Sequence, residues 1–273
     1  MTRRESAVIR RNASVELVDT AITNMQTYLL VLARIGGVFG FAPVFGSYNV
    51  PLQVKAGMSA ALALVTFPLV QAPPTGYPGD IVSYAVCVGR EILVGAIIGY
   101  VASLFMVAVQ LAGQLVDIQI GFGLVNVVDP VANRQVTVMG QFQYLLAMLL
   151  FLVFNGHHMV LAGLVESYAV VPISGFTLTA RLQAGVVRLF CNTVVVAFKI
   201  AAPVTCTLLL ADVVMAVLAR TVPQMNIFIV GFPLKIGVGL LTLLVALPLF
   251  VLILRGTFSG LERDILALFG GVR

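Results

Sequence analysis

Long stretches of this chain carry no charged residue, among them 92–116, 135–165 and 236–254, or 25, 31 and 19 residues. No other feature narrows the possible folds as much. A helix needs about 20 apolar residues to cross a hydrocarbon core roughly 30 Å thick. Within lipid the backbone must satisfy its own polar groups, and a helix does so inside one segment. Composition agrees: 60% of the residues are hydrophobic and only 10% charged, against roughly 25% charged in a soluble domain. Such a chain cannot cover itself with solvated surface. The expected fold is an all-α polytopic membrane protein with about six long, kinked hydrophobic segments.

The segments fall near 26–45, 52–71, 82–112, 136–163, 184–218 and 227–254. "QAPPTGYPGD" (71–80) reads as a loop, because its prolines and glycines neither continue a helix nor hide in lipid; "VPISGFTLTAR" (171–181) reads as another, turning at Ser174-Gly175. Residues 1–23 read as a basic tail without the pattern of a cleavable signal, and 24–273 are expected to form a single membrane domain. The net charge of +5 is spread along the chain and clusters only in that tail, so no nucleic-acid surface is expected. Positive-inside logic puts both termini in the cytoplasm.

Two segments depart from a simple span. Residues 182–219 would make a helix of about 57 Å at 1.5 Å per residue, nearly twice the bilayer, with Arg188, Lys199, Pro203 and Asp212 inside it. Either it breaks near Pro203 into a hairpin or part of it projects beyond the hydrocarbon. "AGQLVDIQIGFGLVNVVDPVANRQ" (112–135) is apolar but carries Asp117, three glycines and the stop Asp129-Pro130. Its composition suits an irregular or re-entrant loop. Gly113, Gly121 and Gly123 supply backbone freedom, while Ile118, Ile120, Phe122 and Leu124 supply an apolar obstruction able to close a lumen by dewetting. The competing reading is a helix whose glycines allow close packing. Small residues also recur at Gly36 and Gly40, and at Gly95, Gly99 and Ser103, as ridges for helix contact. Residues 50–69 and 232–249 echo one another faintly, as repeats in transporters do.

Chemistry is sparse. His157 and His158 are adjacent and point about 100° apart on a helix, so they do not suit one metal ion, and Glu166 forms no acid–base pair with them. Cys87, Cys191 and Cys206 form no C-x-x-C pair and are expected to act as small buried hydrophobes. No catalytic motif, cofactor site or metal site is read. The unusual feature is "ARTVPQMNIFIVGFPLKIGVG" (219–239), which holds Arg220, Pro223, Gln224, Asn226, Pro233 and Lys235 between apolar runs. With Arg90, Glu91, Asp117, Lys199 and Asp212 these are costly in lipid, at about 2.5–3.5 kcal/mol per central charge. Either Arg and Lys snorkel while Lys199 or Arg220 pairs with Asp212, or the charges face an aqueous conduit or a protein interface. Asn226 is placed to cap the following helix.

"ARTVPQMNIFIVGFPLKIG" closely resembles the signature of the FliR family of type III secretion export-gate proteins. "LARIGGVFGFAPVFG", "VPLQVKAGMSAALAL", "AGQLVDIQIGFGLVNVVDP" and "LLFLVFNGHHMVLAGLVESYAVVPIS" resemble further family segments in the same order, over about 26–255. The basic tail is longer than the family pattern. "GHH", "PQMN" and "FPLK" resemble the flagellar branch rather than the virulence injectisome. The resemblance implies a multi-pass protein of the bacterial inner membrane and flagellar basal body. It implies one copy joined to FliP and FliQ in a helical cone held partly above the membrane plane, with FlhB around its entrance. Unfolded flagellar subunits pass through, energy comes from elsewhere, and no catalytic residue is implied. A cone lifted from the membrane would also void positive-inside logic. The resemblance makes residues 113–130 a pore plug with Phe122 near its tip, and Arg220, Pro223, Gln224, Asn226, Pro233 and Lys235 interface or turn residues. A small-molecule or ion transporter is the alternative class.

Overall fold

The computed structural model describes residues 3–47, 50–73, 76–122, 137–224 and 226–270. Seven α-helices and a short 3-10 turn appear among them, with no strand: α1 (Arg3–Phe41), α2 (Leu52–Thr66) running into the turn Phe67–Leu69, α3 (Ile81–Ile120), α4 (Val138–Val153), α5 (Gly156–Val170), α6 (Ala180–Thr221) and α7 (Ile227–Leu268). Four helical stretches are long and apolar enough to cross a membrane, and α4 with α5 makes a fifth as one bent span. The chain is an all-α polytopic membrane protein.

Local chemistry sets several boundaries. Asp80 opens α3 by accepting from the Ser83 amide at 3.2 Å, and Gly121 closes it with φ +100°, a conformation that disfavours any side chain. Thr179 opens α6, its Oγ1 accepting from the Leu182 amide at 3.3 Å. The expected single span 136–163 is broken: α4 and α5 meet at 64°. Asn155 takes φ +56°, and any Cβ on Gly156 would overlap the Phe151 ring. By contrast, α6 does not break at Pro203, so the hairpin reading is corrected. Proline removes one backbone bond, whereas a hairpin would free many in an apolar segment. Thr207 Oγ1 donates to the Pro203 carbonyl at 2.8 Å, and Thr205 Oγ1 to that of Ala201 at 3.0 Å, so hydroxyls supplement the ladder around the proline.

The chain forms two compact units that interleave in sequence: residues 1–102, 160–183 and 262–273 make one, and 103–159 and 184–261 the other. In the first, α1 and α3 pack backbone to backbone. A Cβ on Gly95 would lie on the Arg34 carbonyl, and one on Gly99 2.7 Å from that of Val38. The matching glycine on α1 is Gly37, 2.5 Å from the Ile92 carbonyl, whereas Gly36 and Gly40 meet nothing within 4 Å. Gly95 and Gly99 of the ridge expected on α3 make this contact; on α1 it is Gly37, rather than the expected Gly36 and Gly40, that meets α3. Tyr77 ties the loop before α3 to Thr27 on α1 at 2.8 Å. The second unit centres on rings of Phe105, Phe151 and Phe258, with centroids 4.7 to 5.6 Å apart.

Candidate functional site

In a chain this apolar, the buried polar groups are the places where the sequence departs from simple packing. Among the described residues, the first unit contains a buried network around an ion pair. Arg34 and Glu91 are both 0% exposed, and Arg34 Nε donates to Glu91 Oε2 at 2.6 Å. The guanidinium also donates to Ser167 Oγ at 3.1 Å and to the Val171 carbonyl at 3.0 Å, and lies 4.2 Å over the Tyr168 ring. Glu91 Oε1 accepts from the Ser174 amide at 3.0 Å. Ser174 has φ +66°, an uncommon conformation outside glycine. One ion pair thereby joins α1, α3, α5 and the turn that follows α5. A guanidinium suits this role, since its planar fork serves several acceptors at once.

The second unit contains two further arrangements. Asp117, 3% exposed, accepts from the amides of Met139 at 3.0 Å and Gly140 at 3.3 Å. These are free donors in the first turn of α4, where Thr137 makes no side-chain cap. A carboxylate on α3 thus caps α4 and meets the positive end of its dipole. The same helices touch where a Cβ on Gly113 would overlap Gly140. The close-packing reading of the glycines therefore describes Gly113 well.

The other arrangement gathers Asp212 on α6, Lys235 on α7 and Gln119 on α3. Lys235 Nζ lies 2.5 Å from Asp212 Oδ1, and Gln119 Nε2 donates to Asp212 Oδ2 at 3.2 Å. The expected pairing of Asp212 with Lys199 or Arg220 is replaced by one with Lys235, and both other cations are exposed on α6. Beside it, the end of α3 is held by shape: a Cβ on Gly239 would come within 2.9 Å of Ile120, and one on Gly121 within 2.8 Å of the Phe232 ring.

The remaining expected residues are distributed as follows. Arg220 sits in the last turn of α6. Pro223 and Gln224 form the turn, and Asn226 opens α7 with its carbonyl accepting from Ile229 at 3.1 Å. Pro233 lies inside α7. Residues 113–120 are helical, against the expected irregular loop; Ile120 is buried, Ile118 is exposed, and Phe122 follows the helix end. Gly123, Leu124, Asp129 and Pro130 lie outside the described residues. Cys87 is buried, but Cys191 and Cys206 are exposed, which corrects their reading as buried hydrophobes. The His157 and His158 rings lie 4.2 Å apart, and among the described residues no three His, Cys, Asp or Glu side chains gather as metal ligands. Sequence reasoning passed over Arg34, visible only as a charge interrupting the first apolar segment, and Ser174, read only as a turn.

Residues 25–261 match the family described as bacterial export proteins, family 1. The flagellar biosynthetic protein FliR of Bacillus subtilis (strain 168) is 34% identical over 259 residues, covering 93% of this chain and 99% of that protein. That of Escherichia coli (strain K12) is 27% identical over 236 residues, covering 86% and 89%. That of Aquifex aeolicus (strain VF5) is 29% identical over 233 residues, covering 85% and 90%. With a match running through nearly all of both units, the chain belongs to the FliR family of bacterial export proteins.

Proposed function

We propose that this chain is a structural, pore-forming subunit of the flagellar type III export gate in the bacterial inner membrane. It helps to conduct unfolded flagellar subunits and to seal the closed pore. FliP, FliQ and FlhB are its partners, and it performs no catalysis of its own. The similarity to flagellar FliR proteins over 93% of the chain carries this reading. Physical chemistry supports it: Lys199 and Arg220 are exposed on the apolar helix α6, where lipid would be a costly surrounding and neighbouring chains or water a tolerable one. Residues 1–23 act as a solvated tail to a single functional domain built from both packing units.

For sealing, the relevant part is the segment that leaves α3. Its base is firm, because Asp117 is tied to α4, Gln119 to Asp212 of α6, and Ile120 and Gly121 lie against Gly239 and Phe232 of α7. Ile118 and Phe122 contribute apolar surface beside that base. Replacing Ile118 and Phe122 by serine leaves the buried Ile120 contacts untouched. In cells whose gate assembles normally, this variant is expected to raise membrane conductance and sensitivity to small solutes. A variant gate present at wild-type levels and equally tight would remove the sealing role. Failure to recover FliP or FliQ with the tagged wild-type chain would remove the gate reading itself.

A further inference from the structure

We infer that the groove between α4, α6 and α7 in the second unit is a docking site for an apolar helix of a neighbouring gate chain, one that hydrogen-bonds the amide of Gln143. This rests on the reading above that the chain works inside a multi-chain gate. Gln143 is 5% exposed, and among the described residues its Oε1 has no hydrogen-bond partner. Buried amide oxygens are rarely left so. The groove is lined by Phe142, Gln143 and Leu146 of α4, Pro203 of α6, and Leu243 and Phe250 of α7 among others, and Gln143 is the one polar side chain among the described lining residues. It leaves about 20 Å³ of free space, enough for one water-sized group such as a hydroxyl or amide nitrogen.

The chemistry of the groove selects its occupant. A lipid acyl chain fills apolar space but offers neither donor nor acceptor. A lone water needs two to four polar partners, and the other lining side chains are apolar. A helix from another chain supplies both the apolar ridge and a Ser, Thr, Asn, Gln or His to meet the amide, as polar side chains do between helices in membranes. Leu249, which lines the groove, and Val245, one turn before it on α7, are both exposed. An apolar 18-residue stretch of α7 is only 11% buried by its own chain, against 61% for the corresponding stretch of α3, so that stretch of α7 has most of its apolar surface still to cover.

The test uses the full chain co-expressed with its companion gate proteins and recovered through a tag on this chain. A benzophenone side chain at position 146 or 247, both in the groove, is photoactivated, with position 29 on α1 as control. Adducts are mapped by mass spectrometry. The expected product joins the groove to an apolar helix of a companion chain within a few residues of a polar side chain. Adducts to lipid alone, to a second copy of this chain, or at no more than control level overturn the inference. Independently, Gln143→Leu is expected to lower the companion recovered per tagged chain by roughly three- to thirtyfold, with the amount of full-length variant in the membrane unchanged. Undiminished recovery overturns the inference. If Gln143→Leu does not accumulate, the photo-adducts decide. If wild-type chain brings down no companion at all, the gate reading fails first and takes this inference with it.

Discussion

Arg34 shows what a single residue can organise in an apolar chain. Its guanidinium faces a carboxylate, a hydroxyl, a carbonyl and an aromatic ring, all within the first unit. Removing either ion alone leaves the other buried and uncompensated, at a cost of about 3–5 kcal/mol. Arg34→Leu and Glu91→Leu are therefore each expected to lower the thermal stability of the purified gate complex steeply. Arg34→Met combined with Glu91→Leu should be milder than either, since no charge then remains unpaired. A double variant as unstable as the worse single would show that the bonds to Val171 and Ser174, not the ion pair, hold the turn. Other residues could be anticipated: Gly95 and Gly99 lie where the ridge pattern places them. The choice of Gly37 over Gly36 and Gly40 could not be, because all three fit a small-residue stripe and only the rotation of α1 picks one.

Among elements, helix ends carry more information than helix middles. Asp117 caps α4 from α3, two helices joined through a segment that begins at Gly121 and ends at Thr137. Loss of a capping side chain costs about 0.5–2 kcal/mol. Asp117→Ala is expected to speed amide hydrogen exchange over residues 138–142 by roughly an order of magnitude, and Asp117→Asn to leave most of the protection. Equal exchange in all three proteins would deny the cap. Sequence reading located Asp117 as an acid needing a partner but had no means of finding backbone amides 22 and 23 residues away. It also left open a break near Pro203 in α6 and expected none in the fourth span. Proline and asparagine were both visible, yet Pro203 is carried within α6 while Asn155 turns the chain. Hydroxyls supplement the ladder around the first, and a left-handed backbone with a ring packed on Gly156 fixes the second.

At the scale of the molecule, much apolar surface faces outward. α6 exposes Val187, Phe198 and Leu210, and α7 exposes Leu241, Leu244 and Val245, while the α6 face also bears Lys199 and Arg220. A bilayer covers the first kind of surface well and the second badly. The chain expressed alone is therefore expected to be degraded or to aggregate, and co-expression with the companion gate proteins to restore it. A monodisperse, protease-resistant single chain in mild detergent would show that these cations need no neighbours.

The class of the protein was determined by the sequence alone, because spanning is a sum over consecutive residues: runs of 25 and 31 uncharged residues leave few alternatives. The order of helices and the two main loops followed from the same local signals, and the family from motifs spread along the whole chain. Partnership was decided only in three dimensions. Arg34 meets Glu91 across 57 residues and Val171 across 137, and Asp212 takes Lys235 although Arg220 is nearer in sequence. Hydropathy says that a charge in an apolar helix needs compensation, but which group provides it depends on helix rotation and close glycine contacts, and those arise from packing.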